Sequence, residues 1–248
     1  MCTLAFAVRP SPDVLLAVTG NRNEFLARPA SPPRVWPELP GVLMPRDEMA
    51  GGTWLGLTAR GLFVCVTNRR GAAPDPARRS RGLLVLEALR GPDAAAVRQM
   101  ASALPPSRYN GFHLVFADAR ETGVAICDGE RLEVRTLAPG DAHLVTERSY
   151  GAGEGVREAE VLREVAPLLL HPEVTAAMLR PPMQRHGPSP LEGACVHADE
   201  FGYGTRSSIQ LVLRSSGPDL LWTQGHPCTE PPTDLSPAAA ALVQAQAN

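Results

Sequence analysis

Lysine is missing altogether: all 24 basic residues are arginine. A phosphate-binding loop that relies on a lysine is therefore excluded, as is an internal Schiff base with pyridoxal phosphate. Aromatic residues are scarce, at 5%, and the formal net charge is only −2. Neither a basic footprint for nucleic acid nor a strongly acidic face is present. Long apolar runs are also lacking. Residues 14–18 and 238–243 fall far short of the roughly 20 residues a membrane-crossing helix needs, and Arg9 and Pro10 interrupt the N-terminus where a secretory apolar core would lie. Cysteine is sparse and odd in number, at positions 2, 65, 127, 195 and 228. Without an export signal these read as reduced thiols and not as a disulfide framework. The expectation is a soluble cytoplasmic protein with no membrane span and no nucleic-acid partner. Its 248 residues are enough for one domain with a sizeable core.

What is present is a run of short apolar segments punctuated by turn residues. Residues 3–8 and 14–19 read as strands joined by Pro10-Ser11-Pro12-Asp13. Five prolines across 28–41 argue against a central strand or a helix and for an extended surface segment. A hairpin is expected at 53–58 and 62–67, and helices at 80–90 and 93–104, separated by Gly91-Pro92. Strand patterns return at 113–116, 123–127, 132–136 and 143–145. Helical spacing governs 156–170, a short helix is expected at 172–180, and the last strands fall at 194–197, 207–213 and 220–222. From Pro231 a Pro- and Ala-rich tail is expected to pack loosely. The order of strands, helical pair, strands, helical pair and strands predicts an α+β fold, antiparallel sheets covered by helices. The glycines at 151, 153 and 155 follow no strand–turn–helix nucleotide pattern.

Cys2 is the first residue with chemistry to offer. A small residue after the initiator favours removal of Met1, which leaves a thiol and a free α-amine on one residue. An α-amine has a pKa of roughly 7.7–8.0 and can serve as general base for its own side chain. The competing reading is an ordinary residue at the start of a strand.

Further residues turn this into a family resemblance. Asn21-Arg22-Asn23-Glu24 after the second strand, Gly51-Gly52-Thr53-Trp54-Leu55-Gly56, Thr67-Asn68, Tyr109-Asn110-Gly111-Phe112 and Tyr203-Gly204-Thr205-Arg206-Ser207-Ser208 occur in that order. Together they resemble the NRDE family, the transport and Golgi organisation proteins, which begins Met-Cys. The resemblance implies a four-layer αββα sandwich of the N-terminal nucleophile hydrolase type, with Cys2 opening a central strand. It also implies a cysteine amidohydrolase cleaving a small amide (C–N bond) or related acyl substrate, with no cofactor required. Arg22 and Glu24 would border Cys2, Asn68 would donate to an oxyanion, and Arg206 would stabilise negative charge. Three positions depart from the family: Asn23 replaces aspartate, His113 an asparagine, and Thr146-Glu147 a Ser-Asn pair.

Each of these residues also has a plain structural reading. Arg22 and Glu24 can be an ion pair holding a loop, Asn68 a turn residue and Arg206 a surface arginine. The alternative function is a non-catalytic binding protein of the same fold, serving haem mobilisation or lipid and membrane-trafficking homeostasis. Haem would then be bound non-covalently, because no haem-attachment motif occurs. Cys195-Val196-His197 and His226-Pro227-Cys228 offer metal-ligand types, but not at a standard zinc spacing, and no metal is assigned.

Overall fold

The computed structural model describes residues 2–70, 73–151 and 156–244; Met1 and residues 152–155 of the glycine cluster fall outside them. In chain order the first elements are β1 (Thr3–Ser11), β2 (Val14–Phe25), β3 (Ala30–Trp36), β4 (Leu39–Asp47), β5 (Leu55–Thr58) and β6 (Phe63–Asn68). Then come α1 (Arg81–Leu89), α2 (Ala94–Ser102), β7 (Phe112–Ala117), β8 (Thr122–Cys127), β9 (Leu132–Thr136) and β10 (Ala142–Thr146). The remainder is α3 (Val156–Leu169), α4 (Arg180–Met183), β11 (His197–Ala198), β12 (Tyr203–Arg214), β13 (Gly217–Gln224), β14 (Thr233–Asp234) and α5 (Ser236–Gln244). These elements form two compact units, Met1–Arg28 with Ala138–Ala238, and Pro29–Leu137 with Ala239–Asn248. No helix among the described residues is long and apolar enough to cross a membrane.

The first unit is built on an antiparallel sheet in the order β10-β1-β2-β12-β13-β14, with β11 paired to β12. β1 and β2 are nearly continuous apolar runs because both faces of their sheet are buried. Ala5, Ala7, Val14 and Ala17 pack with Leu144, Val165, Leu169, Leu179 and Met183, while Leu4, Phe6, Leu16 and Val18 on the other face are buried as well. The expected turn joins them, with a bulge between Val8 and Ser11 and Arg9 in the left-handed region at φ 46°. β1 lies between β10 and β2, so its first residues are held from both sides and do not fray.

The second unit carries the sheet β3-β4-β5-β6-β7-β8-β9. Leu62, Val64, Leu114, Phe112 and Phe116 face α1 and α2, which contribute Leu84, Val85, Ala88, Leu89 and Val97. Both helices start on side-chain caps: Ser80 accepts from the Gly82 N–H, and Asp93 from the Ala96 N–H. The Pro-rich segment is extended, as expected, and forms the edge strand β3. The next strand departs from expectation, because β4 contains Pro40 and Pro45 yet lies inside the sheet. Its ladder to β5 covers only Val42 and Leu43, so neither proline has to donate there. The Ala-rich stretch expected to pack loosely instead forms α5, with Ala239 and Leu242 buried.

The glycine pair Gly51-Gly52 has a packing cause. A Cβ on Gly52 would stand 2.5 Å from the carbonyl carbon of Gly82, in the first turn of α1, and the Thr53 N–H donates to the Gly82 oxygen at 3.2 Å. Two backbones touch, and neither can rotate away. Gly52→Ala is expected to lower stability by about 1–3 kcal/mol, the usual cost of overpacking, seen as a lower melting temperature. An unchanged melting curve would show that α1 is free to move.

Candidate active site

Side chains alternate along β2, and this divides the Asn21-Arg22-Asn23-Glu24 motif into two faces. Asn21 points to the α3 side. Its Nδ2 donates to the carbonyls of Met183 and Ala194, both at 2.8 Å, fixing the segment between them to the sheet. Asn23 serves the same face: Thr205 Oγ1 donates to its Oδ1 at 2.7 Å and accepts from the Val196 N–H at 2.8 Å. An aspartate offers the same acceptor oxygen, so the departure from the family at position 23 keeps this link intact.

Arg22 and Glu24 take the opposite face. Arg22 is buried, 8% exposed, and its guanidinium lies 3.6 Å from a Glu24 carboxylate oxygen that also lies 3.9 Å from Arg28. Glu24, at 22% exposed, keeps partial contact with water. Thr3 pairs with Asn21 on one side and with Thr146 on the other. One step further along the β1–β2 ladder, Cys2 falls level with Arg22, whereas the chain turns at Glu147, where the Thr146 N–H donates to the Ser149 carbonyl at 3.0 Å. Cross-strand neighbours share a face, so Cys2 and Arg22 belong to the side away from α3. The alternation agrees: Thr146 reaches the α3 side, where its hydroxyl donates to Glu158 at 3.2 Å. The Cys2 thiol is half-buried and donates to the Asn23 carbonyl at 3.9 Å.

Arg206 is the extra residue of a bulge in β12, since Thr205 pairs with Asn23 and Ser207 with Arg22. Bulges re-aim side chains, and here the guanidinium donates to the Arg28 carbonyl at 3.4 Å while its buried Nε–H donates to no partner among the described residues. The structure thus brings Cys2, Arg22, Glu24 and Arg206 to one corner of the first unit. Asn68 belongs to the second unit, where it ends β6, exposed and paired with Phe112.

Sequence reasoning treated Glu147 only as a departure. It is a buried carboxylate, 5% exposed, whose oxygens accept no hydrogen bond among the described residues and which forms an ion pair with Arg148 at 3.8 Å. The other departure, His113, is fully buried on β7, with Nδ1 3.4 Å from the Thr67 hydroxyl. Burial, aided by the charge of Arg69, pushes its pKa down to about 3.

The metal-ligand types are also regrouped. Cys195, His197 and Cys228 converge, but their fourth neighbour is His186; His226 instead stacks on the His197 ring at 3.8 Å.

Among solved structures, the chain is similar in fold to a Caenorhabditis elegans N-acylethanolamine-hydrolyzing acid amidase (NAAA) ortholog. The TM-score is 0.55 at 12% identity, over 85% of this chain and 92% of that one. The protein therefore has the α+β fold of the N-terminal nucleophile hydrolases, the αββα class expected from the sequence. Residues 1–154 match the family model described as Transport and Golgi organisation 2, and the chain belongs to that family. The bovine Transport and Golgi organization protein 2 homolog is 36% identical over 153 residues, 56% of this chain and 55% of its own length. The human homolog is 30% identical over 167 residues, 64% and 58% respectively. The matches thus span little more than half the length of these curated relatives.

Two measurements probe the corner and the buried histidine. Thr205→Val removes the acceptor of a buried N–H and the donor to Asn23, and is expected to cost about 1–3 kcal/mol; Thr205→Ser should restore most of it, and equal melting of both variants would contradict the link. His113 is neutral when folded. Its stabilising contribution is complete above its unfolded pKa of 6.5 and is lost as pH falls towards about 3, because only the unfolded chain takes up the proton in that window. Melting temperature should fall across this range less steeply in His113→Asn than in the parent; parallel curves would contradict the assignment.

Proposed function

We propose that the protein is a cysteine N-terminal nucleophile hydrolase acting on a small amide or related acyl substrate. The observation that carries the reading is the placement of Cys2 at the head of an interior strand, level with the buried Arg22 of the neighbouring strand. With the preceding methionine removed, the α-amine of Cys2 takes the thiol proton, giving a thiolate and an ammonium. Arg22, level with Cys2 on β2, is the cation suited to the attacking sulfur. The thiolate attacks the amide carbon and forms a thioester. The departing amine leaves with the proton held by the ammonium, and water then releases the acid and regenerates the thiol. Arg206, with its buried Nε, is the cation within the same unit suited to an acidic group of the substrate or to developing negative charge. Asn68 enters as an oxyanion donor on the family resemblance alone.

Two observations favour a second reading, a non-catalytic binding protein. Glu147 stands where the family has an amide, and the relatives are named for transport and Golgi organisation. Loss of one oxyanion donor costs hydrolases of this kind about 10²–10³ in rate.

The decisive experiment is an amide-hydrolysis screen beside melting curves. Cys2→Ala should abolish turnover, and Glu24→Gln should lower kcat/KM by more than about tenfold, or 1.4 kcal/mol. Glu24→Gln should barely move the melting point, since a partly hydrated pair contributes only about 0–1 kcal/mol. Turnover that survives both substitutions would sink the site assignment. Wild-type protein without turnover that binds haem saturably, with a Cys2-dependent spectrum, would support the second reading.

A further inference from the structure

The regrouped cluster is independent of the hydrolase reading. We propose that His186, Cys195, His197 and Cys228 hold a zinc ion in a closed site that fastens two loop segments to β12.

The geometry is that of a tetrahedral site before the ion is placed. All four ligand atoms lie within 4.8 Å of one another. The two sulfurs are 3.5 Å apart, and His197 Nε2 is 3.6 Å from Cys195 Sγ and 3.0 Å from Cys228 Sγ. Zinc bonds of about 2.3 Å to sulfur and about 2.0–2.1 Å to nitrogen imply edges of roughly 3.8 Å between sulfurs and roughly 3.6 Å between sulfur and nitrogen. Three ligands therefore need shifts of only tenths of an ångström. His186 is exposed, with its ring 4.9 Å from that of His197, and closes the fourth corner.

The cluster is assembled by fixed backbone. Gly187 and Gly193 approach so closely that a Cβ on Gly193 would stand 2.7 Å from the Gly187 nitrogen, and the Cys195 N–H donates to the Arg185 carbonyl at 2.9 Å. This tight loop brings residues 186 and 195 together. Val196 is tied to Thr205, and His197 pairs with Gly204. The turn bearing Cys228 is pinned from α4 and the residue after it: Arg180 donates to the carbonyls of Pro227 and Glu230, both at 2.7 Å, and Gln184 to Pro227 at 2.9 Å. Gly204 leaves room for His226, whose Cε1 would lie 2.9 Å from a Cβ there, to cover the His197 ring.

Two thiolates and two neutral imidazoles neutralise a divalent ion, so the half-buried site carries no net charge, and binding releases the two thiol protons. Sulfur and imidazole in a tetrahedral set select zinc over magnesium or calcium. Four protein ligands leave no open position, which marks the site as structural.

The test uses the full chain, purified without chelator and kept reduced. Elemental analysis should find one zinc per chain. Cobalt(II) added to metal-free protein should give the visible bands of tetrahedral cobalt with a thiolate charge-transfer band. Cys195→Ser and Cys228→Ser should lose that band, whereas Cys2→Ser and Cys65→Ser should keep it. His186→Ala, a change at an exposed side chain, should fold and bind cobalt more than about tenfold less tightly. Reduced wild type that takes up no cobalt, a band unchanged in the Cys195→Ser/Cys228→Ser double variant, or unaltered affinity in His186→Ala would each overturn the proposal.

Discussion

One extra residue in β12 governs the corner on which the proposed function rests. Side chains in a ladder repeat every two residues, so inserting one residue on one strand inverts the facing of everything beyond it. Before the insertion Thr205 opposes Asn23; after it Ser207 opposes Arg22. The insertion lets β12 give Asn23 its hydroxyl partner and still run in register with β2 down to Leu16, a stretch in which Ser208 and Gln210 meet Gly20 and Thr19. Arg206, displaced sideways, becomes available to the side that carries Arg22 and Glu24. A regular ladder would have to give up one of these relationships.

From that register the two faces of the first sheet acquire separate tasks. Toward α3, a row of short polar side chains (Thr19, Asn21, Asn23) holds the carbonyls of Leu179, Met183 and Ala194 and, through the Thr205 hydroxyl, the Val196 N–H. Buried backbone groups must find partners, and here the sheet supplies them through side chains where strands and helices do not. Away from α3 the same strand presents charge. A motif of four consecutive residues thus serves architecture at Asn21 and Asn23, and in the proposed reaction chemistry at Arg22 and Glu24.

Much of this was legible in the sequence. Alternation and turn residues placed β1, β2, β5 to β10 and the capped helices, because local chemistry decides those elements. Cys2, Arg22, Glu24, Asn68 and Arg206 were recognised as a set; the first unit holds all of them except Asn68, which belongs to the second. What escaped was set by long-range pairing. β4 looked unfit for an interior position because its prolines were judged without knowing that its ladder to β5 spans two residues. Glu147 looked only like a lost amide, because a local pattern does not show that its side chain is buried. The cysteine and histidine residues near the C-terminal end were set aside on spacing, and their convergence depends on a tight glycine loop that local spacing does not reveal. These four residues all lie beyond residue 154, where the family match ends.

The second sheet ends on two strands that are poor templates. β3 carries Pro32 and Pro33 at the point where its pairing with β4 slips register, and β9, at the far edge, alternates outward with Glu133 and Arg135. Prolines remove donors that an incoming strand would need, and a charged edge resists pairing with a copy of itself. An uninterrupted seven-stranded sheet rich in Val, Leu and Phe would otherwise invite addition of strand to strand from neighbouring molecules. The proline run that looked like a mere surface linker is, in that light, what keeps so apolar a sheet from growing sideways.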